Sequence, residues 1–170
     1  MNYATAIWNY VTDEGALPTL INEFADFGYD TISFTTALLN RLDDQCLRDV
    51  AATVRARGLM VTVHGNFELS LEQVARCLEP FAYRLLCVTF DAALCPPPDQ
   101  SRHDAARMAP LLRELLALTA GWGPRVAVED FPLQRSVLEA YHAELAPLLD
   151  DPRYGILVDV GHMHIRLTQE

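Results

Sequence analysis

Short apolar runs recur along the chain, and each is followed by a longer segment whose apolar residues repeat at helical spacing. Their starts lie roughly 26 to 29 residues apart, with one longer interval between the fourth and fifth runs. This alternation predicts an α/β protein with a parallel sheet. The six runs are Ala4 to Trp8, Thr31 to Thr35, Leu59 to His64, Leu85 to Phe90, Val126 to Glu129, and Gly155 to Asp159.

Helix boundaries are marked between several of these runs. Ser70 and Gln73 form an S-x-x-[EQ] capping box, and apolar residues at 3- and 4-residue steps follow it. We therefore predict a helix over 71–81. Gly28 and Gly58 stand where a left-handed residue would end a helix before the next strand.

Residues capable of chemistry follow the predicted strands, where parallel βα proteins bind ligands. Glu129 ends the fifth run and Asp159 the sixth, so two carboxylates would face one cleft and repel unless a cation or a proton intervenes. His162 adds an imidazole at the same rim, and this oxygen-rich set suits Mn²⁺, Mg²⁺ or Co²⁺, with Zn²⁺ possible. A carboxylate in such a place can instead cap a helix, and His64 can simply hydrogen-bond a loop. The role of Asp91, after the fourth run, stays open.

Composition narrows the class of protein. The 170 residues fit one domain spanning 1–170, and a net charge of −10 disfavours a nucleic-acid partner. All 13 basic residues are arginine, which excludes lysine Schiff-base chemistry and a P-loop within this chain. No apolar run is long enough for a membrane span and no secretory signal opens the chain, so we expect a cytoplasmic protein.

Four segments, in order, resemble motifs of the xylose isomerase-like TIM barrels, which include sugar isomerases and epimerases and are similar in fold to endonuclease IV. The resemblance covers the chain from about Ala4 to Met163. The segment that ends in Asp159 and His162 is similar to the D-x-x-H pattern of the sixth strand. The four segments are Phe27 to Phe34, Val63 to Asn66, Val126 to Pro132, and Gly155 to His162.

By this resemblance Glu129 and Asp159 would ligate a divalent metal, and Glu129 would also be the proton-transfer base. His162 would contact the substrate or a second metal, and His64 would line the sugar pocket. The sequence departs from the family at Ser33, where a glutamate is usual, and at Asp130, where an asparagine is usual.

The resemblance also implies a longer barrel. The seventh and eighth strands of the family supply a histidine and a glutamate to the metal, and a complete barrel takes roughly 250 residues. We therefore expect an incomplete barrel of about six βα units, whose exposed strand edges would favour homo-oligomers.

The implied function is a divalent-metal-dependent isomerase or epimerase of a sugar or keto-polyol, acting by proton abstraction beside a carbonyl. Three alternatives remain. The chain could be a non-catalytic barrel fragment, a phosphodiesterase of the endonuclease IV type, or an open flavodoxin-like sheet. Asp91 stands where the endonuclease would carry a histidine, and no phosphate-binding loop supports the flavodoxin-like fold.

Overall fold

The fold is built around one β-sheet. The structure, a computed structural model, describes residues 4–91, 104–129, 139 and 142–157. In this part of the chain all six strands are parallel, and each pairs with the next in sequence order. The predicted α/β class is confirmed, as is the parallel arrangement expected for part of a TIM barrel. The strands are β1 (Ala4–Ala6), β2 (Thr31–Thr35), β3 (Met60–Gly65), β4 (Leu85–Phe90), β5 (Arg125–Glu129) and β6 (Tyr154–Leu157).

Helices connect consecutive strands. No helix within the described ranges is both long and apolar enough to cross a bilayer. Short 3₁₀ turns cover Ile7–Asn9, Glu14–Ala16, Glu79–Phe81 and Ala146–Asp150. The α-helices are α1 (Leu17–Asp26), α2 (Thr36–Arg41), α3 (Asp44–Ala56), α4 (Leu71–Leu78) and α5 (Ala105–Leu118).

Element boundaries follow the predicted runs closely. β2 and β4 begin and end at the predicted residues, whereas β1 stops at Ala6 because the chain turns into a 3₁₀ helix. The predicted helix over 71–81 is α for eight residues and 3₁₀ for the last three. Gly28 and Gly58 have φ values of 91° and 67°, which confirms the two predicted left-handed helix ends.

The capping box at the start of α4 is present. The Ser70 hydroxyl accepts a hydrogen bond from the Gln73 amide at 3.2 Å, and the Gln73 side chain accepts one from the Ser70 amide at 2.9 Å. Both donors belong to the group of amides that a helix start leaves without an intrahelical partner. The reciprocal pair therefore fixes the point at which the chain leaving β3 enters α4.

The two faces of the sheet differ in chemistry. Side chains on one face are buried against the helices, and the Phe34 ring stacks on Phe81 with centroids 5.3 Å apart. The other face carries small, polar or half-buried residues, and we call it the open face. The helix-covered face includes Ile32, Phe34, Val61, Val63, Val88, Phe90, Val126 and Val128, and the open face includes Ser33, Thr35, Thr62, His64, Thr89 and Glu129.

The register between β3 and β4 shifts by one residue. Val61 pairs with Leu85, but the next residue, Thr62, pairs with Cys87, which leaves Leu86 as an extra residue in β4. Because strand side chains alternate between faces, a slip of one residue reverses the face of every residue that follows. Val88 consequently packs with the helices, and Thr89 lies on the open face beside its partner His64.

The cysteines in the described part of the chain, Cys46, Cys77 and Cys87, carry free thiols. Burial raises the pKa of both Cys77 and Cys87 to about 11, so both thiols are uncharged near neutral pH. Cys77 is fully buried and belongs to the hydrophobic core, where a reduced cysteine behaves as a small apolar residue.

Loss of the α4 cap will lower stability by about 1 kcal/mol. We expect Ser70→Ala to reduce the free energy of unfolding by this amount, measured by urea denaturation, because an amide of the first turn loses its acceptor. Ser70→Asp keeps an acceptor and is expected to retain most of the stability. Equal losses in the two variants would contradict the capping role.

Candidate metal and catalytic site

Three neighbouring strands bring one imidazole, one hydroxyl and two carboxylates together at their carboxyl ends. The His64 Nδ1 atom lies 3.4 Å from Glu129 Oε1 and 3.2 Å from the Thr89 hydroxyl. Its other ring nitrogen, Nε2, lies 3.2 Å from an Asp91 carboxylate oxygen. His64 therefore bridges the two acids, one through each ring nitrogen.

Strand register explains this convergence. His64 and Thr89 are Cα partners across β3 and β4, and Thr89 pairs with Ala127 across β4 and β5. Asp91 comes two residues after Thr89, and Glu129 comes two residues after Ala127. Both acids therefore lie on the same face of the sheet as Thr89 and His64. Backbone pairing therefore places His64, Thr89 and Glu129, and Asp91 directly follows the last residue of β4.

An aromatic contact holds the ends of β3 and β4 against each other on the helix-covered face. Phe90 packs directly over Gly65, where any Cβ would overlap its ring. The Phe67 ring packs against Phe90, with centroids 4.6 Å apart. Gly65 follows His64 and Phe90 precedes Asp91, so this packing lies next in sequence to both functional residues. We call Gly65, Phe67 and Phe90 the aromatic clasp.

The three charged side chains of the cluster differ in exposure to solvent. Glu129 is the most enclosed, with 13% of its side chain exposed, followed by His64 at 25% and Asp91 at 53%. The hydrogen bond that the His64 ring donates to the Asp91 carboxylate raises the pKa of His64, and the nearby Glu129 carboxylate adds to this effect, while desolvation opposes both. The two carboxylates therefore favour the protonated form of His64.

The same groups fit a divalent cation. His64, Asp91 and Glu129 each offer one ligand atom, and these three atoms all lie within 4.8 Å of one another. Two carboxylates and one imidazole form a donor set that suits Mn²⁺, Co²⁺ or Zn²⁺, and Mg²⁺ through the oxygens. The residues present are thus chemically suited to the metal that the sequence predicts.

The structure brings together two of the four site residues predicted from the sequence. Glu129 and His64 lie in direct contact, whereas Asp159 and His162 fall outside the described residues. Asp91 joins the cluster, although its role is left open by the sequence. Ser33 lies on the open face of β2 and leaves that position neutral.

Comparison with solved structures identifies the same architecture. D-psicose 3-epimerase with D-tagatose from Clostridium cellulolyticum H10 matches with a TM-score of 0.67 at 15% identity, over 96% of this chain and 65% of that one. The IOLI protein with a binding zinc atom matches with a TM-score of 0.66 at 17% identity, over 98% of this chain and 65% of that one. The fold is that of the xylose isomerase-like TIM barrels. A protein of this fold from Mycobacterium smegmatis, in complex with magnesium, matches with a TM-score of 0.55 at 16% identity, over 89% of this chain and 58% of that one.

The matches extend over only part of each solved structure. The chain spans less than two thirds of the length of each of these three structures. No protein-family model matches the sequence, and no curated protein matches it. At this level of identity the comparisons establish the fold, and the reaction has to be argued from the site.

Adding a methyl group at Gly65, beside the Phe90 ring, will disturb the aromatic clasp. We expect Gly65→Ala to lower the free energy of unfolding by about 1–3 kcal/mol, measured by urea denaturation, because the new methyl group overlaps the ring. Combining it with Phe90→Leu, which removes part of the ring volume, should cost less than the sum of the two single changes.

Gly121→Ala is the matched control, because an added Cβ there meets no atom within 4 Å. We expect this control to change stability by no more than about 0.5 kcal/mol. Additive effects of the Gly65 and Phe90 substitutions would show that the two residues do not share one packing contact.

Removing the Asp91 charge will lower the pKa of His64 in the metal-free protein. The carboxylate raises this pKa, so Asp91→Asn should shift the imidazole titration toward the ordinary histidine value, as followed by NMR of the ring protons. Because the folded-state pKa is raised, the stabilisation is full below the ordinary value and is lost as pH rises through the raised one.

Asp49→Asn, an exposed change on α3, is the control and should leave the titration unaltered. An unchanged His64 titration in Asp91→Asn would remove Asp91 as the cause.

Proposed function

We propose that the protein takes part in a divalent-metal-dependent isomerisation or epimerisation of a small sugar or keto-polyol. The observation that carries the proposal is the largely enclosed Glu129 carboxylate at the end of β5, in contact with His64. Proton removal from a carbon next to a carbonyl group requires a fixed base in a site that limits water, and Glu129 meets this requirement.

Glu129 acts as the base. Its Oε1 atom lies 3.4 Å from His64 Nδ1, and this contact orients the carboxylate that would accept a proton from a C–H group of the substrate. Transfer of that proton to the carboxylate gives the enediolate of the substrate. Return of a proton to the opposite face of the same carbon gives an epimer, and return to the neighbouring carbon gives an isomer.

His64 holds a substrate oxygen. In its charged form the imidazole donates from both ring nitrogens, and a substrate hydroxyl or carbonyl oxygen can replace one of its present partners. The Thr89 hydroxyl, 3.2 Å from Nδ1, keeps the ring oriented during this exchange. His64 therefore positions the substrate, and Thr89 positions His64.

Metal ligation completes the proposal. By the resemblance to the family, Glu129, Asp159 and His162 would hold the ion. The ion would polarise the carbonyl group and stabilise the developing negative charge, which lowers the barrier to proton removal.

The neighbouring surface supports a polyol substrate. The open face of β2 to β4 presents hydroxyl side chains at Ser33, Thr62 and Thr89, which can exchange hydrogen bonds with sugar hydroxyls. Two similar solved structures contain sugars, one with D-fructose and one with D-tagatose. The net charge of −10 disfavours a phosphate-rich partner.

Solvent deuterium exchange tests the reaction. We expect the protein with Mn²⁺ in D₂O to replace a C–H proton beside the carbonyl of at least one member of a panel of ketoses and cyclic keto-polyols, seen as loss of that proton signal by NMR. Glu129→Gln should slow this exchange by about 10²- to 10⁴-fold, because the amide cannot accept the proton.

Glu72→Gln is the matched control, since Glu72 is exposed in the first turn of α4, and its exchange rate should equal that of the wild type. Undiminished exchange in Glu129→Gln would exclude Glu129 as the base. Hydrolysis of a phosphodiester without any exchange would instead favour the endonuclease-type alternative.

A further inference from the structure

We infer that the surface at the end of α1 is a docking site for an arginine-bearing peptide segment of a partner protein. This surface, which we call the α1 groove, has a volume of about 500 Å³ and is lined by Phe24, Phe27, Gly28 and Tyr29. Gly28 and Tyr29 come shortly before β2, so the groove lies toward the amino ends of the strands. It is therefore separate from the candidate site at their carboxyl ends, and the inference does not depend on the proposed function.

Aromatic rings form a row at the α1 groove. The Phe24 ring makes edge-to-face contacts with Tyr10 and with Tyr29, with centroids 5.2 Å and 5.5 Å apart. Phe27 is 79% exposed and Tyr10 is 58% exposed. Aromatic side chains that adjoin one another and remain open to solvent are typical of surfaces that bind a partner.

The exposed position of Phe27 follows from an ordered helix end. The Phe27 amide donates a hydrogen bond to the Glu23 carbonyl oxygen at 3.0 Å, and the Tyr29 amide donates one to the Phe24 carbonyl oxygen at 3.1 Å. Gly28 lies between them with a φ of 91°, the left-handed conformation that ends a helix. The backbone around the groove is therefore fixed before any partner binds, which lowers the entropy lost on binding.

The charge of this region has one sign. The first 40 residues carry acidic side chains and no basic ones, and the first basic residue is Arg41. Glu23 precedes Phe27 by four residues, so both lie on the same face of α1, and Asp30 directly follows Tyr29. The acidic residues are Asp13, Glu14, Glu23, Asp26 and Asp30.

The helix itself adds to this negative charge. The carboxyl end of a helix carries partial negative charge, and α1 has no basic residue in its last turn to offset it. Arg57, which follows α3, pairs with Asp26 and offsets one of the acids. Glu23 and Asp30 remain as acidic residues beside the groove, so the surface is complementary to a cationic partner.

Aromatic rings together with carboxylates favour a guanidinium group. The planar cation can stack on a ring face and donate hydrogen bonds to a carboxylate, and it is more weakly hydrated than the ammonium group of lysine. The protein makes this kind of contact within its own chain, where the guanidinium carbon of Arg55 lies 4.1 Å from the centre of the Tyr83 ring. A second copy of the chain is a poorer occupant, because its net charge of −10 would repel the acidic groove.

Fluorescence anisotropy provides the test. A fluorescein-labelled peptide of alternating arginine and glycine is titrated with the full chain, and the Tyr29 ring protons are followed by NMR. We expect saturable binding that shifts the Tyr29 signals and weakens as ionic strength rises from about 0.02 M to about 0.5 M. Phe27→Ala should weaken the affinity about fivefold and Glu23→Gln about twofold. A lysine peptide should bind more weakly, and a glutamine peptide should not bind.

Leu149→Ala and Glu72→Gln are the matched controls, since they remove an exposed apolar side chain and an exposed acid elsewhere. Both should bind as the wild type does, and circular dichroism checks that each variant is folded. Unchanged affinity in Phe27→Ala, equal binding of the arginine and glutamine peptides, or no binding up to about 1 mM peptide would each overturn the inference. Self-association of the wild type that Phe27→Ala abolishes, seen by sedimentation, would assign the groove to a second copy and overturn it as well.

Discussion

The one-residue register shift between β3 and β4 determines which groups share the mouth of the sheet. With Leu86 as an extra residue, Thr89 becomes the partner of His64. Asp91, two residues after Thr89, then faces the same side of the sheet as His64. Without the shift, Phe90 would lie on the open face and a threonine on the helix-covered face. Irregularities of this kind are known to redirect side chains next to functional sites. Here one extra residue accounts for the meeting of the imidazole with both acids.

Charge balance is the second constraint on this cluster. Glu129 is enclosed and Asp91 is half exposed, so a proton on His64 and a divalent cation are competing ways to compensate the same pair of carboxylates. Both compensations use the same scaffold, because the ring orientation set by Thr89 suits either a donor or a ligand nitrogen. The electrostatic need of the site thus connects the proposed base to the proposed ion.

Sequence patterns predict the fold more completely than the site. The strand–helix period, the Ser70 box and the glycines at 28 and 58 are local signals, and the structure confirms each of them. Glu129 and His64 could be chosen because parallel strands place their carboxyl ends at one edge. Asp91 could not, because the run from Leu85 to Phe90 has no regular alternation of polar and apolar residues and does not reveal which face follows. The position of Asp91 follows from the pairing of β4 with β3, which joins residues 24 or more positions apart in the sequence.

Stability and chemistry are separated onto opposite faces of one sheet. The helix-covered face is apolar, and the clasp of Gly65, Phe67 and Phe90 extends its packing to the last residues of β3 and β4. The open face holds hydroxyls, an imidazole and carboxylates, none of which has to fill the core. Because neighbouring residues of a strand alternate between faces, each functional side chain is flanked by a buried one that anchors it. A cluster of like charges can persist under these conditions, since the apolar packing behind it opposes the repulsion that would otherwise separate the strand ends.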